Sequence, residues 1–138
     1  SGHTGRGIYS LSISVDGQTL ISGGEDRTIR VRDLNSHDEF ALDTGRAKVF
    51  SVAYYHPNYI ASGGSDNKIR IWNLTERKQV AVLTGHTGSV AALAVGADLL
   101  VSTGFDATVR VWTRDSNIAD TTPGSTPRVG ALPFPTIE

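Results

Sequence analysis

The chain has 138 residues, 38% of them apolar, with 13 Lys+Arg against 14 Asp+Glu and a formal net charge of −1. That length fits one domain, and so balanced a charge supplies no basic field to hold a phosphate backbone, which disfavours nucleic acid as a partner. There is no cysteine, so disulfides, thiol catalysis and thiolate metal sites are excluded, and no apolar run approaches the ~20 residues of a membrane span.

The first seven residues, SGHTGRG, have no apolar core of the signal-peptide kind. A cytoplasmic chain with no membrane partner is the expectation. The 15 glycines exceed the ~7% of ordinary domains and point to many tight turns.

In chain order, an apolar segment from Ile8 to Val15 opens the sequence, followed by the Asp16-Gly17 hairpin signal and a short run at Leu20-Ile21. Next comes Ser22-Gly23-Gly24-Glu25-Asp26, then a segment in which Ile29 and Val31 alternate with Arg30 and Arg32. A period of two marks a half-buried strand. A further strand is predicted at Glu39–Leu42. The series then starts again. Val49 to Tyr54, Ile60-Ala61, Ser62-Gly63-Gly64-Ser65-Asp66, the alternating Lys68 to Asn73 and Gln79–Leu83 reproduce it. A third round runs through Val90 to Val95, Leu99 to Val101, Ser102-Thr103-Gly104-Phe105-Asp106 and Thr108 to Thr113, with residues 117–121 as a poor fourth strand. Asp26, Asp66 and Asp106 are spaced by 40 and 40. A repeat of that length signals stacked supersecondary units. The reading is all-β, with four antiparallel strands in each of three units. The units are placed at residues 1–43, 44–84 and 85–122, and a Pro-rich tail at 123–138 with Leu132, Phe134 and Ile137 as its anchors.

These residues resemble the WD40 β-propeller family. The third unit is the closest match, through Gly85-His86, Ser102, Asp106 and Val111-Trp112. The resemblance implies a buried hydrogen-bond chain through His86, Ser102, Asp106 and Trp112. A buried carboxylate needs donors, an imidazole bridges two partners, and an indole N–H needs an acceptor. The second unit keeps Ser62, Asp66 and Trp72 but has Arg46 where His is expected, so either Arg46 pairs with Asp66 or the network is open there. The first keeps His3, Ser22 and Asp26 but has Arg32 in the Trp position, so Arg32→Trp is expected to stabilise it.

His86, Ser102 and Asp106 have the residue types of a hydrolase triad. Their positions recur in every unit as turn furniture, so no catalytic residue is expected and the chain is read as a non-enzyme. The Gly-Gly pairs lack the Lys-Ser/Thr and the helix of a phosphate loop. His3, His37, His56 and His86 share no metal-ligand spacing, and no cofactor is expected. Asn73-Leu74-Thr75 matches a glycosylation acceptor but occupies a turn position, and the tail carries Thr122-Pro123 and Thr126-Pro127.

The resemblance also implies a partner-binding rim on the narrow top face: Glu25, Ser65 and Phe105 before or at the turn, then Tyr9, Phe50 and Ala91 at the start of the innermost strands, with Lys48 and Ser89 beside them. Exposed aromatics at a polar edge are typical anchors. Propellers use typically ~4–8 blades, so three blades leave two faces bare. Either the chain is part of a larger propeller or copies assemble, a six-blade dimer being favoured over a trimer. The expected function is a non-catalytic protein-interaction scaffold. The alternatives are a self-assembling structural unit and a ligand-binding or enzymatic propeller. The last needs inward-facing acids, whereas the innermost strands offer Ser10, Ser12, Ser14 and Ser51.

Overall fold

The computed structural model describes residues 6–56, 58–96, 99–113 and 129–131. His3, residues 117–121, the Thr-Pro dipeptides and the tail anchors lie outside them. Among the described residues, twelve strands form three four-stranded sheets. The first holds β1 (Ile8–Ile13), β2 (Thr19–Gly24), β3 (Thr28–Asp33) and β4 (Glu39–Asp43) in sequence order. The second holds β5 (Val49–His56), β6 (Tyr59–Gly64), β7 (Ile69–Asn73) and β8 (Lys78–Leu83). In the third, β9 (Val90–Val95), β10 (Leu99–Gly104) and β11 (Val109–Thr113) are joined by β12 (Val129–Ala131). No helix occurs among the described residues.

Every neighbouring pair is antiparallel except one: β12 runs parallel to β11, with Trp112 opposite Gly130. The outer strand of blade three is thus drawn from the segment read as tail. A parallel pair needs a connection of about a dozen residues or more, and the stretch between Thr113 and Val129 has that length.

The core lies between blades. The alternation in the third strand of each unit sends Ile29 and Val31 to one face and Arg30 and Arg32 to the other. In the first seam Ile21, Ile29, Val31 and Leu42 meet Val49, Val52, Ile60 and Trp72 of blade two. In the second, Ala61, Ile69, Ile71 and Leu83 meet Val90, Leu100 and Trp112 of blade three. Each blade therefore has a leading face, carrying the Trp position, and a trailing face, carrying the Ile/Val positions. Burying one such side chain fully is worth roughly 1.5–3 kcal/mol, so stacking, and not any single sheet, holds the arc.

The turns that set the period are alike. Arg27, Asn67 and Ala107 are left-handed, with φ of 69°, 70° and 64°. In each turn the preceding Asp Oδ1 accepts from the backbone N–H two residues on, at Thr28 (3.2 Å), Lys68 (3.3 Å) and Thr108 (3.1 Å). Asp is used there because its short carboxylate closes this ring locally. Asp16-Gly17 forms a hairpin turn between β1 and β2, with Gly17 at φ 73°.

Candidate functional site: an aromatic rim over a buried network

The loop that enters β9 carries His86 into blade three. His86 Nδ1 donates to Asp106 Oδ2 (2.9 Å), and its Nε2 lies 2.7 Å from Ser102 Oγ. Trp112 Nε1 donates to the same hydroxyl at 3.0 Å. The partners fix the directions: a carboxylate only accepts, so Nδ1 holds the proton and Nε2 accepts from Ser102. Donation then runs from Trp112 through Ser102 and His86 to Asp106. Asp106 also accepts from the Thr108 hydroxyl (2.7 Å) and the Thr87 N–H (2.8 Å). Burial works to raise its pKa, but the hydrogen bonds from Thr108, Thr87 and His86 outweigh it and hold the carboxyl well below the usual range. Ser102 is 0% exposed and already engaged on both sides. This constellation ties a loop to two strands and presents no nucleophile.

Blade two keeps half of it. Trp72 Nε1 donates to Ser62 Oγ at 2.9 Å. Asp66 is held by Arg70 through both nitrogens, at 3.2 and 2.6 Å, and not by Arg46, whose side chain is exposed. Arg70 sits on the same strand as Trp72, two residues earlier, and reaches the turn directly. The alternating Arg of the third strand was the available signal for it. In blade one, Asp26 accepts from Thr28 Oγ1 at 2.8 Å, and Arg32 pairs with Glu39 (3.4 Å) across to β4.

The rim arises from one irregularity repeated in each blade. The register of the innermost strand slips by one residue: Ile8 and Ser10 face consecutive residues Gly24 and Gly23, Val49 and Ser51 face Gly64 and Gly63, and Val90 and Ala92 face Gly104 and Thr103. The unpaired residues are Tyr9, Phe50 and Ala91. A bulge re-aims its extra side chain, and here it lifts two aromatics out of the alternation. Tyr9 meets Phe50 edge-on with centroids 5.2 Å apart, and Phe50 lies 6.5 Å from Phe105 at a tilt. A row of three rings thus crosses all three blades. Tyr9 is 47% and Phe105 75% exposed.

The polar edge is continuous with this row. Glu25 Oε1 accepts from Tyr9 Oη (3.4 Å) and from Lys48 Nζ (3.3 Å). Ser65 Oγ accepts the Lys48 N–H (3.0 Å), and Ser89 Oγ donates to the Ser65 carbonyl at 3.5 Å. The structure therefore gathers Tyr9, Glu25, Lys48, Phe50, Ser65, Ser89 and Phe105 in one place, while Ala91 breaks the aromatic pattern in blade three. At the other end of the innermost strands lies an open groove of about 870 Å³, lined by Leu11, Ile13, Val15, Tyr54 and Val95. Its one lining acid among the described residues is Asp16, held by hydrogen bonds from Ser14 and Gln18. Asn73 of the glycosylation-like triplet accepts from Asn58 Nδ2 and the Glu76 N–H, and so serves its turn.

The chain superposes on the structure of U3-55K with a TM-score of 0.74 at 29% identity, covering 82% of this chain and 36% of that one. It superposes on the crystal structure of RRP9 WD40 repeats with a TM-score of 0.70 at 31% identity, covering 76% of this chain and 33% of that one. The chain thus spans about a third of the length of these solved proteins. No curated protein sequence matches it. Residues 1–33, 41–73 and 77–113 each match the WD domain, G-beta repeat, and with three such repeats on three propeller blades the chain belongs to the WD40 family.

Proposed function

We propose that this chain is the partner-binding part of a non-catalytic WD40 scaffold that holds a protein or peptide on its top rim. The observation that carries this reading is the unbroken aromatic row Tyr9–Phe50–Phe105, flanked by the Glu25–Lys48 pair. Keeping large rings in water is unfavourable, and amphipathic aromatics beside fixed charges are the usual anchors of binding hot spots. Selection of a displayed peptide library on the wild-type chain tests it. Enriched peptides should lose about tenfold or more in affinity on Tyr9→Ser or Phe105→Ser, and none on the control Val80→Ser, which alters an exposed position on β8. Peptides indifferent to both rim changes would refute the rim.

A second reading is a self-assembling unit, in which two copies close a six-blade ring. The exposed Ile8, Leu11 and Ile13 on the leading face of blade one invite it, while Ile8 and Arg32 on that face match the trailing face of a second copy poorly. A solution mass of twice the chain mass would support it.

A further inference from the structure

Each internal seam is keyed at one position. Val49 of β5 sits over Gly23 of β2, and Val90 of β9 sits over Gly63 of β6. A Cβ at Gly63 would stand 2.5 Å from Val90 Cγ1, and one at Gly23 would overlap the Val49 side chain. Both valines are buried. Strand register identifies the same two positions in every blade. Ile8, Val49 and Val90 pair with Gly24, Gly64 and Gly104, while Gly23, Gly63 and Thr103 pair with Ile29, Ile69 and Val109. The remaining key is therefore Ile8, 54% exposed on the bare face of blade one. The remaining keyhole is Thr103, on the trailing face of blade three.

A second copy stacked head to tail in this geometry brings Ile8 onto Thr103. Ile is larger than the Val of the internal seams, and Thr places a whole branched side chain where even a Cβ does not fit. Close-packed interiors do not absorb such an excess without parting. A second mismatch adds to it. Where Trp72 and Trp112 are buried in the internal seams, blade one offers Arg32 paired with Glu39. The trailing face of a copy meets that pair with Val101, Val109 and Val111, the counterparts of Ile21, Ile29 and Val31. Charges set against valines lose water and gain no partner.

We infer that the leading face of blade one is built for a foreign blade and discriminates against a second copy of this chain. Its occupant is a WD40-type blade with glycine at the Gly23/Gly63 position and a polar side chain facing Arg32. The solved WD40 proteins that superpose on this chain are about three times the length they share with it, which leaves room in one polypeptide for such blades. This inference stands apart from the rim, and its failure leaves the peptide selection untouched.

The test is sedimentation equilibrium of the full chain, with the Thr103→Gly copy serving as the probe for a glycine-bearing blade. Head-to-tail association should rise in the order Thr, Ala, Gly at position 103, with Thr103→Gly about tenfold or more tighter than wild type. Ile8→Ala relieves the same contact from the opposite face and should also tighten it. Since Ile8 is half exposed, that variant keeps the test open if glycine in β10 compromises folding. A wild-type chain that sediments at twice its mass and gains nothing from either change overturns the inference. So does a wild-type monomer that stays monomeric in both variants.

Discussion

Blade three and blade one share a forty-residue design and the same strand register, yet they differ at the position held by Trp112 in one and Arg32 in the other. In blade three, Asp106 anchors a relay that reaches from the entering loop through His86 and Ser102 to Trp112. In blade one, Asp26 accepts from Thr28, and Arg32, at the Trp position, pairs with Glu39. The β2–β3 and β10–β11 ladders are nonetheless equivalent, with Leu20 opposite Arg32 and Leu100 opposite Trp112. Strand pairing therefore does not depend on the indole. What the relay adds is a tie between the loop and the sheet. Blade two is intermediate: it keeps the indole half and replaces the imidazole half with Arg70.

The largest test of this comparison is Asp106→Ala beside Asp66→Ala. The first strands buried His86 and the part-buried Thr108 hydroxyl, while the exposed Thr87 N–H turns to water, at a cost of about 3 kcal/mol. The second leaves Arg70 near the surface, where water replaces the carboxylate, and should cost about 1 kcal/mol. Urea denaturation at one protein concentration measures both. Equal losses would mean that the relay confers nothing beyond the turn.

Acid sharpens the same contrast. The Asp106 carboxyl is held below its ordinary value, so its contribution is complete above the unfolded pKa of ~3.9 and is lost as pH falls toward the folded value. Asp66 has the same sign, its burial outweighed by Arg70. Wild-type stability should fall steeply below about pH 4, and Asp106→Asn should flatten that fall. A variant whose melting temperature follows the wild-type acid profile would contradict the assignment.

Blade repeats and turn positions were legible in the sequence because they recur at a fixed period, whereas the members of the relay came from the family resemblance. Ser102 and Asp106 lie at the same offsets as Ser62 and Asp66, and the types of residue state the chemistry. The bulge that lifts Tyr9 and Phe50 was not legible from periodicity. A one-residue slip leaves no residue type as its mark, and the rim positions came only from family likeness. Arg70 was overlooked as the partner of Asp66 because a strand residue four positions on is close only once the turn has folded. β12 was missed because a parallel outer strand depends on the length of the connection and not on a local pattern.

A smaller effect concerns the turns. Ala107 is left-handed at φ 64°, a conformation that costs a side chain with a Cβ about 1–2 kcal/mol. Ala107→Gly should stabilise blade three by about 0.5–1 kcal/mol after glycine's greater freedom in the unfolded chain is subtracted. Asn67→Gly should do almost nothing, because Asn tolerates this region. Thermal melts of the two variants check the difference. If both gain equally, the side chain at that position carries no strain in either blade.

The smallest expected effect is at Arg32. From the repeat alone, Arg32→Trp restores a missing indole and should stabilise the chain by roughly 1–2 kcal/mol. The structure removes the basis for that gain. Trp72 and Trp112 contribute because the preceding blade covers them, whereas Arg32 lies on the bare leading face with its side chain 36% exposed. An indole placed there would offer Ser22 a donor, but most of its ring would remain in water. It would also release Glu39 from Arg32, leaving that carboxylate with Arg30 at 3.6 Å. A half-exposed pair of this kind is worth at most about 0.5 kcal/mol. Loss and gain nearly cancel, so Arg32→Trp should change stability by less than about 0.5 kcal/mol in the isolated chain. Chemical denaturation of Arg32→Trp and Arg32→Ala at low, fixed concentration measures it. A gain above about 1 kcal/mol for Trp alone would mean that the leading face is already covered in solution, and the difference between blades one and three would then belong to the sequence and not to their neighbours.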